Sequence, residues 1–258
     1  MRYYLAAAAA ALAMQASAAN ADMIVALTSD NMLATIDSKS GKVTGKTKIE
    51  GIGTVLGIDV RPSDGMLYAL ASDGTVATLD AKTGKATMKS KLDTMVPSGA
   101  KVTVDFNPVA DRMRIIGSDG TNLRANVDDG KVTKDQPLKF ADTDASKGKT
   151  PMIVAGGYTN SMKGAKETTL YDIDGTLGGL LRQAPPNDGV LNTIGMLGVD
   201  AKSASFDVMT DGAGANTAML LAGKKLYSVD LASGKTMAGV DVAGLPGEVS
   251  DIAVMPAM

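Results

Sequence analysis

Short runs of Val, Ile, Leu and Ala alternate with small or polar residues at period two along this chain, and helical spacing is nowhere sustained. Leu67-Tyr68-Ala69-Leu70-Ala71 reads as one strand and Thr75-Val76-Ala77-Thr78-Leu79 as the next. Asp73-Gly74 between them supplies the positive-φ residues that a two-residue hairpin needs. Asp80-Ala81-Lys82-Thr83-Gly84-Lys85 then closes a longer hairpin, with glycine in the left-handed position. The phrase returns. Gly41-Lys42, Gly84-Lys85 and Gly130-Lys131 end three successive units, 43 and then 46 residues apart. A fourth unit is degraded and keeps Thr169-Leu170-Tyr171-Asp172-Ile173-Asp174-Gly175, and a fifth ends at Ser233-Gly234-Lys235.

A second phrase precedes most units: Gly57-Ile58-Asp59-Val60-Arg61-Pro62 and Val102-Thr103-Val104-Asp105-Phe106-Asn107-Pro108, with weaker copies at Phe206-Asp207-Val208 and Asp251-Ile252-Ala253-Val254. Each is a short strand stopped by a turn residue. A unit of roughly 40–50 residues with four short strands is the mark of a β-propeller blade. The last phrase is a first strand without a hairpin after it, and the chain after the leader opens on a hairpin without a first strand before it. One blade built from both ends would close the ring and leave no open edge. This predicts an all-β propeller of five blades, or six if residues 187–200 add strands of their own.

The first residues change the picture of where the chain works. Met1-Arg2-Tyr3-Tyr4 is a short basic start, residues 5–14 are apolar and mostly alanine, and Ala19-Asn20-Ala21 offers small residues for cleavage before Asp22. The apolar run is too short to span a bilayer, so a cleaved signal peptide over residues 1–21 is expected, with one domain over 22–258. The expected location is the periplasm or the medium, and the expected state is a monomer without a membrane-spanning segment.

The chain has no Cys and no His. This excludes thiol nucleophiles, Ser-His-Asp catalysis and histidine- or thiolate-held metals. There are 26 Lys and Arg against 28 Asp and Glu, interspersed without a basic block, so nucleic acid is not an expected partner. Three Phe, six Tyr and no Trp leave few stacking faces for sugars. The methionines are scattered, as flexible core fillers would be.

Tyr158-Thr159-Asn160-Ser161, Thr168-Thr169-Leu170-Tyr171-Asp172-Ile173-Asp174 and Gln183-Ala184-Pro185-Pro186-Asn187-Asp188-Gly189-Val190-Leu191 form a distinctive ordered series. Together with Leu56-Gly57-Ile58-Asp59-Val60-Arg61-Pro62 and Asp105-Phe106-Asn107-Pro108-Val109-Ala110-Asp111-Arg112-Met113-Arg114, it resembles the uncharacterised family catalogued as domain of unknown function 4394. The resemblance runs from about Ile24 to Val254. It implies a bacterial, usually exported, propeller-like domain, and it brings no catalytic residues to carry over.

The candidate residues fall into groups. Asp37, Asp80, Asp174 and Asp230, with Asn126 in the same place, precede the hairpin turns, and recurrence at one place in each unit predicts turn-fixing side chains. Asp59 and Asp105 are matched positions on the innermost strands, and period two puts Arg61 and Asn107 on the same faces. Those residues can line the central channel, with Asp207 as a possible third copy and Ala253 where the acid is replaced. The plainer reading is buried acids satisfied by a neighbouring blade's backbone or by Arg112 or Arg114. Asp172-Ile173-Asp174-Gly175 has the start of a calcium loop, but Gln183 stands where the loop requires glutamate. Pro185-Pro186-Asn187-Asp188-Gly189 is a stiff turn, and Asn187 and Asp188 with Tyr158 and Asn160 form the candidate surface site. No metal ligands or cofactor are assigned.

Two functions from different classes remain. The first is a non-catalytic module that binds a protein or a small molecule. The alternative is a hydrolase or lyase working with Asp59, Asp105 and Arg112 at the channel, either directly or through a metal held by oxygen ligands. Acids converging within metal-binding distance favour the second, and acids bonded to local backbone favour the first.

Overall fold

The computed structural model describes residues 23–255; the leader, the cut before Asp22 and Met258 lie outside them. The alternating pattern becomes 21 strands in five sheets, arranged as a five-bladed β-propeller. Blade I begins with β1 (Met23–Thr28), β2 (Met32–Asp37) and β3 (Val43–Lys48). Blade II is β4 (Val55–Val60), β5 (Leu67–Ala71), β6 (Thr75–Leu79) and β7 (Ala86–Lys91). Blade III is β8 (Val102–Asn107), β9 (Arg112–Gly117), β10 (Asn122–Ala125) and β11 (Val132–Lys134). The short β12 (Lys139–Phe140) leads on to blade IV, which is β13 (Ile153–Tyr158), β14 (Leu170–Asp174), β15 (Gly179–Gln183) and β16 (Val190–Met196). Blade V is β17 (Ser205–Thr210), β18 (Asn216–Ala222), β19 (Lys225–Val229) and β20 (Val240–Asp241). The last strand, β21 (Val249–Met255), pairs antiparallel with β1 and completes blade I, as the unmatched phrases at the two ends require.

Residues 187–200 do not make a sixth blade. They continue a 3₁₀ turn at Pro186–Asp188 and then form β16, the fourth strand of blade IV. β12 pairs in parallel with β16 and covers the outer edge of that blade. The fourth unit is also less degraded than it reads. Gly178 N–H bonds Asp174 O at 2.9 Å, as Gly84 N–H bonds Asp80 O at 2.8 Å, so the Asp-x-x-x-Gly turn survives without its lysine.

The turn glycines are at left-handed φ, +67° at Gly41, +74° at Gly84, +76° at Gly130 and +73° at Gly234. They also seat one blade on the next: a Cβ on Gly84 would lie 1.9 Å from Lys48 O in blade I. Five apolar clusters fill the five seams between blades. Between blades II and III, Tyr68 meets Phe106 edge to face with centroids 5.2 Å apart. The III–IV seam differs, because Arg114, Asn122 and Asp172 are buried there among Ile116, Tyr158 and Leu170. Among the described residues, no helix is long and apolar enough to cross a membrane.

Candidate functional site

The five innermost strands β4, β8, β13, β17 and β21 carry Asp59, Asp105, Gly157, Asp207 and Ala253 at matching positions. The matching follows from hydrogen bonds across the seams. Asp59 Oδ2 accepts the N–H of Phe106, the residue after Asp105, at 2.6 Å. Asp105 Oδ1 accepts the N–H of Tyr158, the residue after Gly157, at 3.0 Å. Asp207 Oδ2 accepts the N–H of Val254, the residue after Ala253, at 2.6 Å. Gly157 and Ala253 cannot reach onward, and the acids that follow them accept their own next N–H: Val208 to Asp207 Oδ1 and Val60 to Asp59 Oδ1, both at 2.6 Å. Each acid therefore fixes the seam beside it.

Blade I shifts its acid by one period. Asp251, two residues before Ala253 on the same face of β21, accepts the N–H of Ile58 at 3.0 Å across the seam. Gly57 makes room for it, since a Cβ there would lie 2.9 Å from Asp251 Oδ2. The sequence reading stopped at the Asp-to-Ala exchange and missed Asp251; the period-two step from Ala253 is the signal that finds it.

The same acids also converge. Asp59, Asp105 and Asp207 are buried, and each offers a carboxylate oxygen within 4.8 Å of the other two. Ionising them together costs on the order of 3 kcal/mol per pair at an effective dielectric constant near 20. Burial, and then the charge of Asp207, pushes Asp59 well above the usual carboxylate range. Burial, and then Asp59 and Asp207, does the same to Asp105, and burial pushes Asp207 up to about 6. Asp59 and Asp207 line a cavity of about 300 Å³ at the axial mouth, walled by Pro62, Met162, Lys163 and the turn at Asp211 and Gly212.

Asn160 belongs to that mouth. Held at φ +57°, it exchanges bonds with Asn216: its N–H reaches Asn216 Oδ1 at 2.8 Å, and its Oδ1 accepts from Asn216 Nδ2 at 2.9 Å. Thr210 Oγ1 accepts from Ser161 N–H at 2.8 Å, so the wall loop is pinned to blade V. Tyr158, Asn187 and Asp188 lie elsewhere. Arg114, buried in the III–IV seam, donates to Tyr158 Oη at 3.1 Å, Asn122 Oδ1 at 2.8 Å, Asp135 Oδ2 at 2.5 Å and Asn187 Oδ1 at 2.8 Å. The Pro-Pro-Asn-Asp-Gly loop is thereby anchored to blade III through Asn187, and Asp188 is exposed.

The remaining candidates are held in rim contacts. Arg61 forks onto Asp111 at 2.6 and 2.8 Å and onto Asp128 at 2.8 and 3.0 Å. Asn107 Oδ1 accepts the N–H groups of Val109 and Ala110, both at 2.9 Å, and Arg112 donates to the carbonyl of Asp111 at 2.9 Å. The acids before the hairpins fix their turns, for example Asp37 Oδ1 with Ser40 N–H at 2.7 Å and Asp80 Oδ1 with Lys82 N–H at 2.8 Å. Asp174 is used likewise, by Thr176 and Leu177 at 2.8 Å and by Met152 at 3.0 Å, which leaves no calcium loop. Arg61, Arg112 and Arg114 are thus committed away from the channel acids, and among the described residues the channel carboxylates have no arginine partner.

Comparison with known proteins adds the following. No curated protein matches the chain. Among solved structures, a Bacteroides thetaiotaomicron protein of unknown function is 16% identical, with a TM-score of 0.52, over 92% of this chain and 65% of its own. A Bacteroides caccae protein of unknown function is 10% identical, with a TM-score of 0.45, over 92% of this chain and all of its own. A luciferin-regenerating enzyme is 10% identical, with a TM-score of 0.47, over 90% of this chain and 79% of its own. The first of these likenesses supports the fold and no more. The family model described as domain of unknown function DUF4394 matches residues 32–253, almost the whole described chain. The chain belongs to that family.

Proposed function

We propose that this chain is an exported, non-catalytic binding propeller, monomeric, that takes a cation or the cationic end of a ligand in the cavity at its axial mouth. One observation carries the reading: three buried carboxylates meet within 4.8 Å of one another, and two of them, Asp59 and Asp207, line a cavity of about 300 Å³. The binding reading fits better than the catalytic one because the hydroxyls and the arginine that would assist the acids are already used. Thr210 Oγ1 donates to Asn216 Oδ1 at 2.8 Å, Ser161 Oγ donates to Tyr158 O at 2.9 Å, and Arg112 is spent on backbone carbonyls. Export rests on the leader pattern of residues 1–21, with its basic start, apolar run and small residues at the cut.

The test is a thermal-shift screen of residues 22–258 against small organic cations, anions and neutral sugars. Cationic compounds raise the midpoint, and the shift shrinks in Asp207→Asn. A screen in which anions alone stabilise the protein overturns the reading, as does chemical turnover of a bound compound.

A further inference from the structure

We propose that Asp59, Asp105 and Asp207 together hold one hard divalent cation, calcium before magnesium, on the propeller axis. The inference rests on the axial cavity being the ligand site and names the cation taken there. Each carboxylate comes from a different innermost strand, β4, β8 and β17, and each is oriented by at least one backbone N–H bond. Their oxygens lie within 4.8 Å of one another. Three carboxylates from the protein itself suit calcium, which takes several protein oxygens in a flexible shell, whereas magnesium keeps several waters and is seldom held by an all-protein cage. An oxygen-only donor set suits a hard cation and excludes the softer metals that want nitrogen or sulfur.

The acid cluster does not stand alone. Two residues back on the same strand faces lie Thr103 below Asp105 and Ser205 below Asp207. Both side chains are more than nine-tenths buried, and Thr103 Oγ1 and Ser205 Oγ have no hydrogen-bond partner. Thr103 and Asp105 border a narrow void in the III–IV seam, too small for water. Period two puts these hydroxyls on the same strand faces as Asp105 and Asp207, one step deeper, where unpartnered oxygens can turn toward a bound ion. The other two strands place Gly157 and Ala253 at the level of the acids.

The charges nearby leave the acids unpaired, with Lys163 the cation on the wall of the cavity that Asp59 and Asp207 line. Among the described residues, no ion pair reaches the three acids: Arg61 is tied to Asp111 and Asp128, and Arg114 to Asp135. Lys101, farther along the axis, donates to Ala204 O at 3.2 Å.

The experiment is calorimetric titration of chelator-treated protein, residues 22–258, with CaCl₂, MgCl₂ and MnCl₂ separately. One calcium ion binds per chain, more tightly than magnesium. Asp105→Asn and Asp207→Asn each weaken calcium at least tenfold, and Asp172→Asn, a buried acid outside the set, leaves it unchanged. Ser205→Ala serves as a gentler variant should the acid variants unfold, and it weakens calcium at least threefold. Absence of divalent-metal binding to the wild-type chain overturns the inference without using any variant. Undiminished calcium affinity in a folded Asp105→Asn also overturns it. If an organic cation still stabilises the protein in those cases, the metal assignment has failed and the broader reading of the cavity stands; if nothing cationic binds, both have failed.

Discussion

Asp172 is, among the described residues, the buried carboxyl whose two oxygens both lack a partner. Its strand β14 turns it into the III–IV seam opposite Gly156, where a Cβ would lie 2.7 Å from Oδ1. Arg114 and Asp105 face the same seam from β9 and β8, but the guanidinium is committed to four other acceptors. Burial pushes Asp172 up to about 8, with Arg114 acting against it. The folded state therefore keeps the acid neutral, while the unfolded chain ionises in the ordinary carboxylate range. A raised folded pKa gives stability that is complete below about pH 4 and is lost as pH rises through about 8. Asp172→Asn removes this dependence. Its stability relative to wild type climbs between pH 5 and pH 8 by up to about 1 kcal/mol per pH unit, read from urea midpoints; a flat difference means the acid is ionised or satisfied in the native state. Arg114 gives the opposite experiment. Arg114→Met strips a cation from the buried Asp135, keeps Arg124 on it at 2.6 Å, and should cost about 3 kcal/mol at any pH from 6 to 8. Neither role is readable from the sequence. Asp172 reads as the start of a calcium loop, and Arg114 as one of several candidates for the channel acids. Which seam a strand face enters is set by the blade packed against it, some tens of residues away along the chain.

The hairpins are different, because their chemistry is local. Asp80, Gly84 and the alternation on either side of them carry the turn in a dozen residues, so four of the five units are legible directly. The seam adds a constraint that local reading underestimates. Gly84→Ala must accept left-handed φ and also place a methyl against Lys48 O, whereas Gly65→Ala, at φ +71° with nothing within 4 Å of the new Cβ, faces the backbone term alone. The expected costs are about 1 kcal/mol for Gly65→Ala and at least 3 kcal/mol for Gly84→Ala, compared by denaturant midpoint. Equal losses would show that blades I and II do not need this close contact. The illegible strand is β13. Ile153-Val154-Ala155 begins like an inner strand, but Gly156 and Gly157 replace the Asp-bearing pattern of the other four. Gly156 is pressed by Asp172, and Gly157 faces Val208 of blade V, so both exchanges answer to other elements. For the same reason the sequence paired Asp59 with Arg61 by period two, while the structure sends the acid to the axis and the guanidinium to Asp111 at the rim.

At the scale of the whole molecule, the ring depends on β21. It covers the edge of β1 from Met23↔Met255 to Thr28↔Val249, brings Asp251 to the N–H of Ile58, and presents the Val254 N–H to Asp207. A chain that stops at Gly247 loses all three and leaves β1 with a free edge beside a V–I seam that has lost Ile252 and Val254. The acid cluster loses a fixed member with it, since Asp207 Oδ2 no longer has its cross-seam donor. We expect the shortened chain to associate through that edge on gel filtration and to melt without a cooperative transition. A synthetic peptide of residues 248–258 should restore a monomer with a cooperative transition, at concentrations near millimolar, because the intact chain holds this strand at an effective concentration of about that order. A peptide carrying Asp251→Leu should rescue poorly even though it keeps the apolar face, because Leu cannot accept the N–H of Ile58 and must fit against Gly57. If the shortened chain is monomeric and melts cooperatively unaided, closure is dispensable and the seams alone carry the fold. If the Leu peptide rescues as well as the native one, β21 acts through its backbone and apolar side chains, and the axial acids of the other blades owe it nothing.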